Sequence, residues 1–141
     1  MNATRNATAI PTQRTDTNNQ AALRGLGAEL LFVGTGRRGE SSRKFHRSLQ
    51  AGNVTITHYG RVGTKGQYSV KRHDNTADAA AFVRDLVAKK QAQTGYWITS
   101  PMTEFGVLTA DLMRAGSTRH DIDNGSPAHA ARVVAAYLAV R

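Results

Sequence analysis

Residues 54–72 read VTITHYGRVGTKGQYSVKR, and this stretch predicts two β-strands joined by a glycine-rich turn. Residues 54–59 are mostly β-branched or aromatic, which is typical of a strand, and residues 67–72 form the second strand of the pair. Between them, glycines supply backbone angles that other residues resist, so that the chain can reverse its direction. These glycines are Gly60, Gly63 and Gly66.

The side chains of this hairpin indicate contact with a nucleic acid. If the first strand continues through Gly60, the period of two in a strand places Tyr59 and Arg61 on one face, about 7 Å apart. Lys65 follows across the turn. An aromatic ring stacks on a nucleotide and cations bind its phosphate. The alternative interpretation is structural: a tyrosine packed at a strand end beside a basic, solvated turn.

The length and composition of the chain are those of a small intracellular protein. Its 141 residues have room for one domain with a modest core, or for a smaller domain with tails. The chain has no cysteine, which excludes disulfides and thiolate metal ligands, and no apolar run long enough to span a membrane. We expect a cytoplasmic protein without membrane contact, associated with the nucleoid if its source is prokaryotic.

The positive charge is concentrated in the middle of the chain. The net charge of the whole chain is +9. Residues 29–97 have a net charge of +7, residues 1–28 of +2 and residues 98–141 of zero. A basic segment of this kind is expected where a protein meets a polyanion. The charge distribution therefore agrees with the hairpin in pointing to nucleic acid.

Hydrophobic periodicity predicts an α+β fold built on a small antiparallel sheet of four or more strands. In addition to the hairpin, strands are predicted at residues 30–33 and 43–49. In the second of these strands, Phe45 and Leu49 face the core. Arg47 lies on the same side and must therefore be near an edge or extend to solvent.

A helix is predicted at residues 76–94, where it covers the apolar face of the sheet. Asn75 or Thr76 can cap its first turn, and Gly95 can end it. Its apolar stripe consists of Ala79, Phe82, Val83, Leu86 and Val87.

These elements divide the chain into three segments. Residues 1–27 are poor in apolar side chains and predict a disordered tail, residues 28–97 predict a folded domain, and residues 98–141 predict a helical extension. In the extension, Ser100-Pro101 and Ser126-Pro127 are typical of helix starts. Two amphipathic helices of balanced charge suit the completion of a core, a protein partner or self-association.

Motifs for catalysis are incomplete. Residues 34–39 match G-x-G-x-x-G after a strand, but a dinucleotide site also needs a following helix and an acid about 20 residues further on. No acid occurs between Glu40 and Asp74, the histidines lack metal-ligand spacing, and no P-loop is present. We predict no catalytic residue, no metal site and no cofactor. The missing acids also argue against a small nucleotide- or ADP-ribose-related enzyme.

Three stretches together resemble a WGR domain, a module named for a Trp-Gly-Arg triplet. Residues 59–67, YGRVGTKGQ, are similar to its central motif. Upstream, residues 43–46, RKFH, resemble its Asn-Lys-Phe-Tyr strand, and residues 94–97, TGYW, resemble the Gly-aromatic segment after its helix. The resemblance covers roughly residues 28–97. WGR domains occur in DNA-damage-activated poly(ADP-ribose) polymerases, where they help to engage the DNA break, and in bacterial proteins.

The resemblance implies a role for each residue of the triplet. Tyr59 stands at the position of the tryptophan, so it keeps a ring that can pack on a sugar or base but has less area and no indole N–H. Gly60 is assigned to close backbone approach. Arg61 is assigned to bidentate phosphate contact.

The resemblance also implies roles for residues that flank the triplet. Lys65 is implied as a phosphate contact and Gln67 as a hydrogen-bonding group on the same hairpin. Lys44 matches the upstream strand, whereas Arg43 replaces the asparagine of the family and His46 replaces its tyrosine.

The sequence as a whole therefore predicts a DNA-binding module that is not an enzyme. Nothing in it indicates base-edge readout, so binding should depend on phosphate and shape, with DNA ends or nicks as candidate targets. The alternative is a protein-interaction or oligomerisation module that acts through residues 98–141.

Overall fold

A computed structural model describes residues 22–35 and 38–141 of the chain, and these form five strands and four helices. The strands are β1 (Ala22–Thr35), β2 (Ser41–Ala51), β3 (Val54–Arg61), β4 (Gln67–Arg72) and β5 (Tyr96–Leu108). The helices are α1 (Thr76–Gln91), α2 (Thr109–Arg114), α3 (Arg119–Asn124) and α4 (Pro127–Leu138). All strands join one antiparallel sheet in the order β4-β3-β2-β1-β5.

The predicted hairpin is formed by β3 and β4, with Tyr59 opposite Gln67. β3 runs through Gly60 and ends at Arg61, so Tyr59 and Arg61 lie on the same face of the sheet, as predicted. In the turn, Gly63 and Gly66 have φ values of +93° and +71°, a region that favours glycine. The glycines therefore reverse the chain as the sequence predicts.

β1 is longer than the strand predicted at residues 30–33. It begins at Ala22, within the segment for which the sequence predicts a tail, and it pairs with both β2 and β5. The predicted disorder of residues 1–21 lies outside the described residues. Gly25 and Gly27 weaken the strand pattern in the sequence, yet both are buried in the sheet.

The helix predicted to start at Ser100-Pro101 is wrong, because these residues lie in β5. β5 is an edge strand, and an edge strand tolerates a proline because its outer N–H groups need no partner in the sheet. The register between β1 and β5 also shifts here, as at a β-bulge. Phe105 and Val107 are buried with the period of two of a strand, and the first helix begins only at Thr109.

Helices cover both faces of the sheet, and each face has its own apolar cluster. α1 packs on β1 through Leu26, Ala28, Leu30, Ala80, Val83 and Val87. On the opposite face, β2, β3 and β5 pack against α2, α3 and α4, and this cluster includes Leu49, Ile56, Phe105, Leu112, Ile122, Val133 and Tyr137. The predicted α+β class is confirmed. The expectation that α1 covers the face carrying Leu49 is wrong, because the C-terminal helices occupy that face.

The prediction that Arg47 lies near an edge or reaches solvent is also wrong. β2 is an inner strand, and the Arg47 side chain is only 15% exposed. Glu29 stands directly opposite it on β1, and its carboxylate lies 2.6 Å from Nε of Arg47 and 3.3 Å from Nε of Arg141. The charge of Arg47 is therefore compensated by a carboxylate inside the sheet.

Side-chain caps begin the predicted helices. The Asn75 side chain accepts from the Asp78 amide at 2.8 Å, and α1 ends at Gln91, three residues before the predicted end. Ser126 caps α4 ahead of Pro127, as its sequence pattern predicts. No helix of residues 22–35 and 38–141 is long and apolar enough to cross a membrane.

Replacing Gly27 by alanine should destabilise the fold by about 1–3 kcal/mol, because the interior has no room for the added methyl group. Its Cβ would lie 2.6 Å from Cδ2 of Leu49 and 2.7 Å from Cε1 of Tyr137, which is on α4. Gly106→Ala is the matched control in β5, since nothing lies within 4 Å of its Cβ position. The free energy of unfolding of each variant is measured in urea and compared with that of the wild type. Equal stability of the two would mean that α4 does not pack on β1.

Candidate nucleic-acid interface

The end of β3 presents an aromatic ring and a cation to solvent. Tyr59 is 40% exposed, and its hydroxyl donates to Oε1 of Gln67 across the hairpin at 3.3 Å. Arg61 is exposed and forms no ion pair with any described residue. Both side chains project from the face that α1 covers, because Tyr59 is paired with the buried His46 beneath that helix. The ring and the guanidinium are thus available to a ligand.

Lys44 joins this surface from the neighbouring strand. It stands directly opposite Arg61 in the register of β2 and β3, and its Nζ lies 5.6 Å from the centre of the Phe32 ring. Within the described part of the chain, no carboxylate pairs with Lys44 either. The structure therefore brings together two cations that have no ion-pair partner, with Glu40 lining the depression beside them.

Gly60 makes its close approach inside the hairpin. A Cβ at this position would lie 2.7 Å from Cα of Gly66, which leaves no room for a side chain. A Cβ at Gly66 would in turn lie 2.5 Å from the carbonyl oxygen of Tyr59. The two glycines let the strands close together directly beneath Tyr59 and Arg61.

His58 fixes the turn from the opposite face. Its Nε2 donates to the Lys65 carbonyl at 2.7 Å, because a carbonyl can only accept, and its Nδ1 therefore accepts from Nη1 of Arg47 at 3.0 Å. The ring also stacks on Tyr68, with the two ring centres 4.4 Å apart. Burial lowers the pKa of His58, the hydrogen bond to the Lys65 carbonyl offsets part of this, and the nearby Arg47 lowers it again. The net lowering favours the neutral ring that this arrangement needs.

A groove lies between α1 and the sheet beside these residues. Its volume is about 630 Å³, and we call it the α1 groove. One wall is the end of α1, where Nζ of Lys90 lies 5.0 Å from the centre of the Tyr96 ring. From the sequence, Lys90 suits DNA contact as well as the negative end of the helix dipole, and Tyr96 is not placed at this site. Their approach to β2 and β3 follows only from the packing of α1. The lining includes Lys44, His46, Tyr59, Arg61, Lys90 and Tyr96.

His46 gives the α1 groove a neutral floor. It is buried, and its Nε2 lies 2.8 Å from the hydroxyl of Ser48. Burial, and then the charge of Lys90, lower the pKa of His46 to about 4. The ring is therefore uncharged at neutral pH, when it can exchange hydrogen bonds with a ligand but cannot attract an anion.

The groove offers cations, rings and neutral polar groups, but no acid. The residues that line it include no Asp or Glu. Across residues 22–35 and 38–141, no three His, Asp or Glu side chains come together as metal ligands. Its chemistry suits binding of an anion with a flat ring.

Arg43 lies apart from this surface. Strand alternation places Arg43 on the opposite face from Lys44, where it lines a separate depression with Phe45 and Arg47. Trp97 is 65% exposed on that same opposite face, level with Leu31. Lys65 is exposed at the hairpin turn. The structure thus brings Lys44, Tyr59, Arg61 and Gln67 together and separates Arg43 from them.

The match to a family model supports the resemblance seen in the sequence. Residues 34–102 match the family model of the WGR domain, a range that contains the hairpin and α1 and ends within β5. Among solved structures, a protein from Bacteroides fragilis is similar at 31% identity with a TM-score of 0.42. That match covers 50% of this chain and 19% of the other. No curated protein matches the chain.

Acidification should destabilise the protein through His46. The unfolded chain binds this proton with the ordinary pKa of 6.5 and the folded chain only near 4, so the free energy of unfolding falls as the pH drops through that interval. The contribution is at most about 3 kcal/mol. His58 and His129 also have lowered pKa values and act in the same direction.

Urea unfolding of His46→Gln and the wild type between pH 8 and pH 4 isolates this contribution. The variant should lose less stability on acidification, while the difference at pH 8 reports packing alone. The same loss in both proteins would show that His46 titrates normally in the folded state.

Proposed function

We propose that this chain, which belongs to the WGR domain family through its residues 34–102, binds DNA through phosphates and strand ends without strong sequence specificity. A WGR domain is generally a nucleic-acid-binding module and is not catalytic by itself. In this proposal the protein acts as a binding module rather than as an enzyme. The binding surface comprises Lys44, Tyr59, Arg61, Gln67 and Lys90.

The observation that carries the proposal is the direct opposition of Lys44 and Arg61. Like charges at opposite positions of an antiparallel pair repel each other and weaken the sheet. Neither cation forms an ion pair with a described carboxylate, and Glu40, which lines a depression with both, accepts a hydrogen bond from the backbone amide of Arg38. A bound phosphate would neutralise both cations at once, and the forked guanidinium can grip it in a bidentate manner.

The neighbouring side chains suit the rest of a nucleotide. The exposed Tyr59 ring can pack on a terminal sugar or base, and its hydrogen bond to Gln67 limits its rotation. Lys65, at the turn, lies within the same basic hairpin and can take a second phosphate. Because these groups recognise phosphates and rings but not base edges, the expected affinity depends on charge and shape.

The second candidate function, binding of a protein partner or a second copy through residues 98–141, stays a prediction. The apolar side chains of α2, α3 and α4 pack on the sheet of their own chain, so this segment completes the core. Exposed apolar residues remain at Met113, Leu138 and Val140. Light scattering of the whole chain tests self-association.

Lys44→Ala and Arg43→Ala form a matched pair that tests the face of binding. The two residues are adjacent cations on β2 with opposite orientations. Lys44→Ala, like Arg61→Ala, should weaken DNA binding and reduce the slope of log K against log salt by roughly 0.9 for each phosphate that the protein no longer neutralises. Arg43→Ala should leave the slope unchanged. Fluorescence anisotropy over a salt series provides the measurement, and equal effects of the pair would contradict the proposed face.

Substitutions of Tyr59 test the role of the ring. Tyr59→Trp restores the tryptophan of the family triplet and should tighten binding, because a larger ring buries more area on the nucleotide. Tyr59→Ala should cost about 1–3 kcal/mol of binding free energy, the size of one stacked base. The control is Tyr59→Phe, which keeps the ring and should bind nearly as the wild type does. Wild-type affinity of the alanine variant for linear duplex would remove the ring from the interface.

A further inference from the structure

The α1 groove extends the surface into a space that a duplex cannot enter. It lies between α1 and the sheet. The volume of about 630 Å³ falls in the range of pockets that hold small ligands. A single strand can enter this space, while a duplex can rest only on its rim.

The rim and the interior of the groove differ in chemistry. The cations Lys44, Arg61 and Lys90 line it together with Tyr59 and Tyr96, which supplies phosphate contacts and rings. Uncharged groups also line it: they are the buried His46, the half-buried Thr57 and Leu86, and Ser69, which is exposed on the edge strand β4. Thr57 and Ser69 stand directly opposite each other on β3 and β4. These charged, aromatic and neutral polar groups suit the phosphate, sugar and base of one nucleotide.

We propose that the α1 groove holds an unpaired nucleotide at the end of a DNA strand. Its phosphate lies at Lys44, Arg61 and Lys90, and its base lies against the neutral side chains, where Thr57 offers a hydrogen bond. This assignment rests on the proposed function and adds a ligand to the same site. It makes a single-stranded overhang, and not the duplex end alone, the preferred target.

The test compares two fluorescein-labelled duplexes of equal length, one blunt and one with an unpaired overhang of three nucleotides at its end. The wild-type chain should bind the overhang duplex roughly tenfold more tightly, the size of one stacked base. Ser69→Trp fills the groove from an exposed position on β4 and should abolish this preference while blunt-duplex affinity stays unchanged. Ser69→Ala leaves the groove open and is the matched control.

Thr57→Val provides a second variant of nearly equal shape, which removes one hydroxyl from the groove and should reduce the overhang preference several-fold. Equal affinity of the wild type for both duplexes overturns the groove assignment and leaves the proposed DNA binding intact. Loss of blunt-duplex binding in folded Ser69→Trp also overturns the assignment, because the duplex itself would then occupy the groove. No binding of either duplex by the wild type overturns both proposals.

Discussion

The close contact between Gly60 and Gly66 determines where the side chains of the interface lie. A Cβ at either position would strike the opposite arm of the hairpin, at 2.7 Å from Cα of Gly66 or 2.5 Å from the carbonyl oxygen of Tyr59. Without side chains here, β3 keeps its pairing with β2 up to the opposition of Lys44 and Arg61. A backbone constraint thus holds a ring and two cations on one face.

One face of the sheet stabilises the fold, and the other carries the proposed binding surface. The C-terminal helices bury the larger apolar cluster on one face, with Leu49, Ile56 and Tyr137 fully buried or nearly so. This burial lets β2 and β3 present polar and charged side chains to α1 on the other face, where a core would need apolar ones. The basic groove therefore depends on helices that contribute no side chain to its lining.

Local signals in the sequence predict local features of this fold. The glycine pattern predicts the hairpin, and Asn75 and Ser126 mark the starts of α1 and α4. Features that depend on distant partners are missed. Pro101 indicates a helix start by its own preference, but as part of an edge strand it needs no sheet partner for its nitrogen.

The interface, like the fold, was predictable where it depends on residues that are close together in the chain. Tyr59 and Arg61 share a face because they are two residues apart on one strand. Lys44 was predicted at the interface because the stretch that contains it resembles a motif of the family. Lys90 is 29 residues from Arg61 in the chain, and its place in the last turn of α1 is equally well explained by the helix dipole. Only the packing of α1 on the sheet shows that Lys90 lines the same groove.

The most direct test of the central claim is a titration of the isotope-labelled chain with a short DNA duplex, followed by backbone amide chemical shifts in NMR spectra. If DNA binds the face of the sheet that α1 covers, the largest shift changes will fall on Lys44, Tyr59, Arg61 and Lys90. Changes centred instead on Trp97, or on the C-terminal helices, would contradict the account.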